Sequence, residues 1–304
     1  MAENNSKIVV AMAALAVFVY FMPAQKISSI NQAASISNIL LAETKEQEIN
    51  APLPPEIDAK SALAEDFVTG KIYFAKNKDL LLPLASLTKI LTALVALDRL
   101  SLDEVIQISK TAINAPETSF LKIGEHFLAR DLLSMAMVAS SNDAIEALYE
   151  AATDSEGILT EFRKEWFLSL MRQKAESFGA RDMVFNNTTG YDVSESLAGG
   201  YGSAEDILKI AKGSLDSPIW QFGGVREIYS KEKRKHILKP TNELYGELPE
   251  LIGAKTGFTD LAGGNLLVVV EYPLGHPVGI VVLGSTEEGR FTDVKKILNL
   301  IKSK

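Results

Sequence analysis

The apolar positions Leu87, Ile90, Leu91, Leu94 and Val95 recur at helical spacing and predict a core-facing helix that begins at Ser86. Before it, "SALAEDF" and "KIYFAK" alternate as strands do, around a turn at Thr69-Gly70. "DEVIQIS" reads as another short strand, and "ARDLLSMAMVA" and "DAIEALYEAA" as helices broken by "SSN". "TEFRKEWFLSLMRQKAESFG" is a long amphipathic helix closed by Gly179. "GSAEDILKIAKG" opens with Ser203 and Asp206 in capping-box spacing and stops at Gly213. Two β-branched runs, "GNLLVVVEYP" and "PVGIVVLG", form a hairpin through "LGH", and "GRFTDVKKILNLIKSK" closes the chain as a helix. Strands at both ends with helices between predict an α+β domain whose sheet is built from both termini. There is no internal repeat.

The first 58 residues have a different pattern. Residues 8–22, "IVVAMAALAVFVYFM", are fifteen apolar positions without a charge, preceded by Lys7 and ended by Pro23. That is short for a membrane span, which needs about 20 residues, and suits a signal-peptide apolar region. Met22 is a poor third residue before a cleavage at Ala24. Residues 1–24 are therefore read as a signal peptide or an N-terminal membrane anchor, with a buried N-terminal helix as the plain alternative. Either favoured reading exports the rest of the chain. Residues 25–58 carry "ETKEQEIN" and then Pro52, Pro54 and Pro55, the composition of a linker. The globular domain is expected over 59–304.

Composition removes some chemistries. A formal net charge of −8 argues against an electrostatic nucleic-acid binder. The chain has no cysteine, so disulfides, thiol catalysis and thiolate metal sites are excluded. His126, His236 and His276 are scattered, none opens a zinc spacing, and no metal or cofactor is expected. No G-x-S-x-G elbow occurs.

Three short segments carry candidate chemistry. Ser86 and Lys89 lie three apart at the start of the apolar helix, on one face. The helix dipole disfavours a lysine there unless something uses it. A serine hydroxyl is a weak nucleophile until a base takes its proton. A lysine serves if its pKa of about 10.4 falls, through burial or a neighbouring cation. Taken alone, those residues favour an N-cap and a solvated lysine. Ser140, Ser141 and Asn142 occupy the break between two helices, where Asn142 or Asp143 also suits an ordinary cap. Lys255, Thr256 and Gly257 precede a Gly-Gly break and a strand. They offer a cation, a hydroxyl and approachable backbone, or else a turn with a surface lysine.

The ordered triple S-x-x-K, S-x-N and K-T-G, with gaps of 54 and 115 residues, resembles the penicillin-binding proteins and serine β-lactamases. "TGKIYFAKN", "PLASLTKILTAL", "GEHFLARDLLSMAMVASSNDA", "FNNTTGYD", "GAKTGFTDLAGGNL" and "GSTEEGRFTDVKKIL" narrow the resemblance. They are similar to D-alanyl-D-alanine carboxypeptidases of the low-molecular-mass penicillin-binding group, over roughly Ala59 to Leu300. The resemblance implies a β-lactamase/transpeptidase-like fold, a five-stranded antiparallel sheet plus a helical region with the active site in the cleft between them. It assigns Ser86 as the acylated nucleophile, Lys89 as its base, Ser140 as the proton relay to the leaving D-alanine and Asn142 as a holder of the substrate amide and Lys89. Lys255 and Thr256 would bind the terminal carboxylate, with Lys255 also opposing a charge on Lys89. Gly257 would let the strand approach, and the N–H groups of Ser86 and Phe258 would form the oxyanion hole.

The implied partners are a peptidoglycan stem peptide, β-lactam inhibitors and a membrane through the N-terminal segment. The implied place is the cell envelope, at the outer face of the cytoplasmic membrane or in the periplasm. Ser141 stands where glycine is common in the family, and Phe258 where histidine is frequent. Many members carry a C-terminal β-rich domain and anchor, so attachment here is expected at the N-terminus. Three rivals remain: a DD-endopeptidase, an idle wall-binding protein, and a β-lactamase. The last would use a further glutamate, for which Glu176 has the position but reads as a solvated helix residue.

Overall fold

Ser61–Asp66 (β1) and Ile72–Lys76 (β2) pair antiparallel, with Gly70 at φ +72° turning the chain between them. The structure, a computed structural model, describes residues 54–114, 121–154 and 156–303. The expected signal or anchor over 1–24, and the linker as far as residue 53, lie outside the described residues. Pro54–Lys304 form one contact unit. Packing starts before Ala59: Ile57 is buried, and the Asp293 carboxylate accepts from the backbone N–H groups of Asp58 (3.0 Å) and Ala59 (2.9 Å).

Leu82–Pro83 (β3) leads into a 3₁₀ turn, Ala85–Thr88, and then helix Lys89–Leu97 (α1). Val105–Gln107 (β4) and His126–Leu128 (β5) pair beside helices Ala129–Val138 (α2), Asn142–Asp154 (α3) and Thr160–Ser177 (α4). Val184–Phe185 (β6) and Gly200–Gly202 (β7) complete a small sheet with β3. Helix Ala204–Gly213 (α5) has the expected capping box. Ser203 Oγ accepts from Asp206 N–H at 3.1 Å, and Asp206 accepts from Ser203 N–H at 3.2 Å. Glu227–Tyr229 (β8) and Lys235–Ile237 (β9) form a hairpin that the pattern did not announce, because each strand is three residues long and the connection is highly charged. Leu251–Thr259 (β10), Gly263–Glu271 (β11), Pro277–Ser285 (β12) and helix Gly289–Lys302 (α6) end the chain.

The main sheet is antiparallel throughout, in the order β10-β11-β12-β1-β2. Both faces are covered. Leu267, Val269, Val281 and Leu283 join the core shared with the helices, while Leu266, Val268, Ile280 and Val282 pack with Phe291, Val294 and Ile297 of α6. Two-sided burial explains why these strands read as unbroken apolar runs. Each such side chain contributes about 2 kcal/mol by leaving water. The Gly263-Gly264 pair is the start of β11 rather than a break. A Cβ on Gly264 would stand 2.0 Å from the Thr286 carbonyl oxygen, so the chain needs a bare backbone there. Among the described residues no helix is long and apolar enough to cross a membrane.

Candidate active site

The α-helix starts at Lys89, not at Ser86. Ala85 takes φ +48°, a left-handed conformation that costs a non-glycine residue energy, and the next turn is 3₁₀. In a 3₁₀ turn residues i and i+3 eclipse, so Ser86 and Lys89 stack more directly than in an α-helix. Lys89 Nζ lies 2.7 Å from Ser86 Oγ and donates to the Thr189 carbonyl at 2.9 Å. Lys89 is wholly buried, and α1 is buried along nearly its whole length. A lysine at the head of that helix is therefore directed by the site and not by solvent.

Ser140 sits between α2 and α3 at φ +57°, a second left-handed residue close to Ser86 on the same cavity. Lys255, on edge strand β10, is 1% exposed; its Nζ lies 2.8 Å from Ser140 Oγ and donates to the Thr256 carbonyl at 2.8 Å. Cross-strand pairing with Leu267 turns Lys255 toward the helical body. Burial first, then the nearby cations Lys89 and Arg290, hold the Lys255 pKa well below the ordinary lysine value. The Thr256 hydroxyl shares a hydrogen bond with that of Thr241. Gly257 needs its bare Cα, since a Cβ would stand 2.9 Å from the Leu84 carbonyl oxygen and 3.1 Å from Ser86 N.

A cavity of about 330 Å³ opens here, lined among others by Ser86, Ser140, Ser141, Thr256, Gly257 and Phe258. Asn142 is buried at the first residue of α3, behind this lining. Phe258 is 42% exposed at the rim. The structure thus brings Ser86 to Lys89 and Lys255 to Ser140, and puts both serines and the 256–258 stretch on one cavity. Sequence reasoning passed over three neighbours. Arg290 lines the cavity and donates to the Gly257 carbonyl at 2.9 Å. The Thr189 carbonyl is backbone, and so has no side-chain signature. The third is the wall made by His236, Ile237 and Leu238.

That wall is fastened by two histidine–glutamate pairs, which account for two of the three histidines. His126 Nδ1 lies 2.8 Å from Glu232, and His236 Nε2 lies 3.2 Å from the buried Glu125. Glu176 is exposed in the last turn of α4, and is not among the cavity's lining residues. Among the described residues no group of three or more histidines and carboxylates is placed to hold a metal ion.

Gly190 packs against the residue that precedes Ser86. It adopts φ +80°, and a Cβ would stand 1.9 Å from the Ala85 carbonyl oxygen, one residue before Ser86. Gly190→Ala is expected to destabilise the fold by about 3 kcal/mol. At this size that lowers Tm by roughly 6–12 °C, readable in a thermal melt.

A profile of the family described as D-alanyl-D-alanine carboxypeptidase matches residues 46–287. The D-alanyl-D-alanine carboxypeptidase DacF of Bacillus subtilis is 31% identical over 251 residues, 80% of this chain and 61% of that one. A D-alanyl-D-alanine endopeptidase of Pseudomonas aeruginosa is 30% identical over 249 residues, 79% of this chain and 75% of that one. The chain thus spans less than two thirds of that Bacillus carboxypeptidase. In solved structures, a mutant DD-transpeptidase of Streptomyces superposes with a TM-score of 0.72 at 27% identity, covering 81% of this chain and 98% of that one. A penicillin-binding protein of Listeria monocytogenes, in its cefotaxime-bound form, gives 0.67 at 26%, covering 81% and 98%. With a five-stranded antiparallel sheet, a buried lysine against a serine and a profile match over most of its length, the chain belongs to the D-alanyl-D-alanine carboxypeptidase family of serine peptidases.

Proposed function

We propose that the chain removes the terminal D-alanine from peptidoglycan stem peptides through an acyl-enzyme on Ser86. The observation that carries this reading is the 2.7 Å approach of Lys89 Nζ to Ser86 Oγ at a cavity that is also lined by Ser140, itself in contact with a second buried lysine, Lys255. Lys89 takes the Ser86 proton as Oγ bonds to the scissile carbonyl carbon. The developing oxyanion is met by the N–H groups of Ser86 and Phe258. Ser140 passes a proton to the departing amine, and Asn142 holds the substrate amide. Lys255 and Thr256 receive the terminal carboxylate, with Gly257 letting β10 lie close to the peptide. Water then hydrolyses the ester. β-Lactams acylate the same hydroxyl. The enzyme works in the cell envelope, at the outer face of the cytoplasmic membrane or in the periplasm, delivered by residues 1–24 as signal or anchor.

A second reading is favoured by the endopeptidase relative, of which the chain covers 75%. A DD-endopeptidase would use the same site on a cross-linked dimer. Equal amounts of a stem pentapeptide and a cross-linked dimer, offered together, separate the two. The carboxypeptidase releases free D-alanine from the pentapeptide at least tenfold faster. Faster cleavage of the dimer reverses the assignment.

A further inference from the structure

Thr188 and Thr189 lie in the loop behind Lys89, and three hydrogen bonds tie them to α1 and α3. Lys89 Nζ donates to the Thr189 carbonyl at 2.9 Å, and the Thr92 hydroxyl donates to the Thr188 carbonyl at 2.6 Å. The Thr188 hydroxyl donates to a carboxylate oxygen of Glu146. Glu146 stands one helical turn after Asn142 on α3, hence on the same face as that site residue. A carboxylate has thus been drawn in beneath the amine, one hydrogen-bonded threonine away from the peptide that the amine grips.

We propose that Glu146 is a positioning residue for acylation. Through Thr188 it fixes the peptide that holds Lys89, and its negative charge stabilises the ammonium formed when Lys89 accepts the Ser86 proton. The inference rests on the acyl-enzyme reading of Ser86. The step balances without a further reactant. The O–H bond of Ser86 breaks, its proton forms the third N–H bond of the Lys89 ammonium, and Oγ bonds to the acyl carbon, whose oxygen takes the negative charge. Glu146 receives no proton in this step and acts only by its field.

The charges around the pair are these. Lys89 faces Lys255 of β10, and the charge on Lys89 is one of the causes that hold the Lys255 amine below its ordinary value. Glu146 faces Lys89 from α1, Lys164 from α4, and Glu150 and Tyr149 on its own helix. Burial, the largest influence, holds the Glu146 carboxyl above the ordinary glutamate value, and Glu150 adds to this; the Thr188 hydroxyl and the Lys89 and Lys164 charges pull the other way. Glu150 engages the Ser109 hydroxyl at 2.5 Å instead.

The test is the rate of Ser86 acylation by a fluorescent penicillin, followed from pH 5 to 9 in the whole chain. Glu146→Gln keeps the volume and, through its amide oxygen, the acceptor for Thr188, but loses the charge. Its plateau rate is expected to fall roughly tenfold. The acid limb of its profile should move to lower pH, because the amine loses the anion that favours its protonated form. Glu146→Asp keeps the charge and should keep the wild-type limb, and Glu150→Gln should leave both plateau and limb unchanged. An unmoved limb and plateau in Glu146→Gln overturns the inference while leaving the acyl-enzyme reading intact. So does an acid limb that moves to lower pH in Glu146→Asp, a comparison with the wild type that also decides the matter if the Gln variant does not fold. A wild-type chain that takes no label overturns both.

Discussion

Ser86→Ala leaves the mass of the chain unchanged after incubation with a β-lactam, whereas the wild type gains one inhibitor mass. Release of D-alanine falls by on the order of 10⁵-fold or more, the scale of losing a catalytic nucleophile outright. The size of this effect follows from the geometry. Ser86 Oγ has a buried amine 2.7 Å away and a strained residue immediately before it that sets its turn. No other serine on the cavity combines these. Ser140 has Lys255 at 2.8 Å, but the residue before it, Ala139, has φ −95° and is not in the left-handed region. An adduct that persists in Ser86→Ala would move the nucleophile elsewhere and overturn the assignment.

Lys255→Met is expected to be nearly inactive and more stable than the wild type. Activity falls by on the order of 10³-fold, because the variant lacks the cation that meets the carboxylate and the partner of Ser140. Stability rises by about 1–3 kcal/mol, because a buried charge is replaced by an apolar chain of similar volume. The pH dependence separates this from a generic packing effect. The Lys255 pKa is depressed in the fold, by burial and by Lys89 and Arg290, below the 10.5 of the unfolded chain. Between those two values the unfolded chain binds more protons, so wild-type stability rises with pH across that window. The methionine variant lacks this slope. Its advantage is therefore largest at low pH and shrinks toward pH 10.5. Denaturant melts at several pH values check this, and an advantage independent of pH would remove the buried charge as the cause.

The elements legible in the sequence are those in which local pattern and tertiary role agree. The apolar spacing of α1 (apart from the first turn of the expected helix, which is 3₁₀), the Ser203–Asp206 cap of α5 and the β-branched runs of β11 and β12 appear where their patterns put them. The three motifs also lie on one cavity or directly behind it. What the sequence did not disclose falls into two physical kinds. Backbone features carry no side-chain signature: the positive φ at Ala85 and Ser140, the 3₁₀ turn at Ser86 and the Thr189 carbonyl all come from how neighbouring segments press together. Contacts between distant segments are equally silent. Nothing along the chain links Glu146 to Thr188, or His236 to Glu125, until α3 and the β8–β9 hairpin are folded against their partners. Arg290 lies within "GSTEEGRFTDVKKIL", one of the stretches that carry the resemblance, yet only the packing of α6 against β11 and β12 brings its guanidinium to Gly257.

The register of β1 has a consequence for how the molecule comes into being. Ser61 pairs with Leu283, and the strand bearing Lys255 is reached only through β11 and β12. A nascent chain therefore displays its reactive hydroxyl and its amine long before the segment that completes their surroundings has been synthesised. Closing so long a loop is slow compared with local helix formation. A growing polypeptide should thus be immune to antibiotic capture until β12 has emerged, and then become vulnerable in one cooperative event.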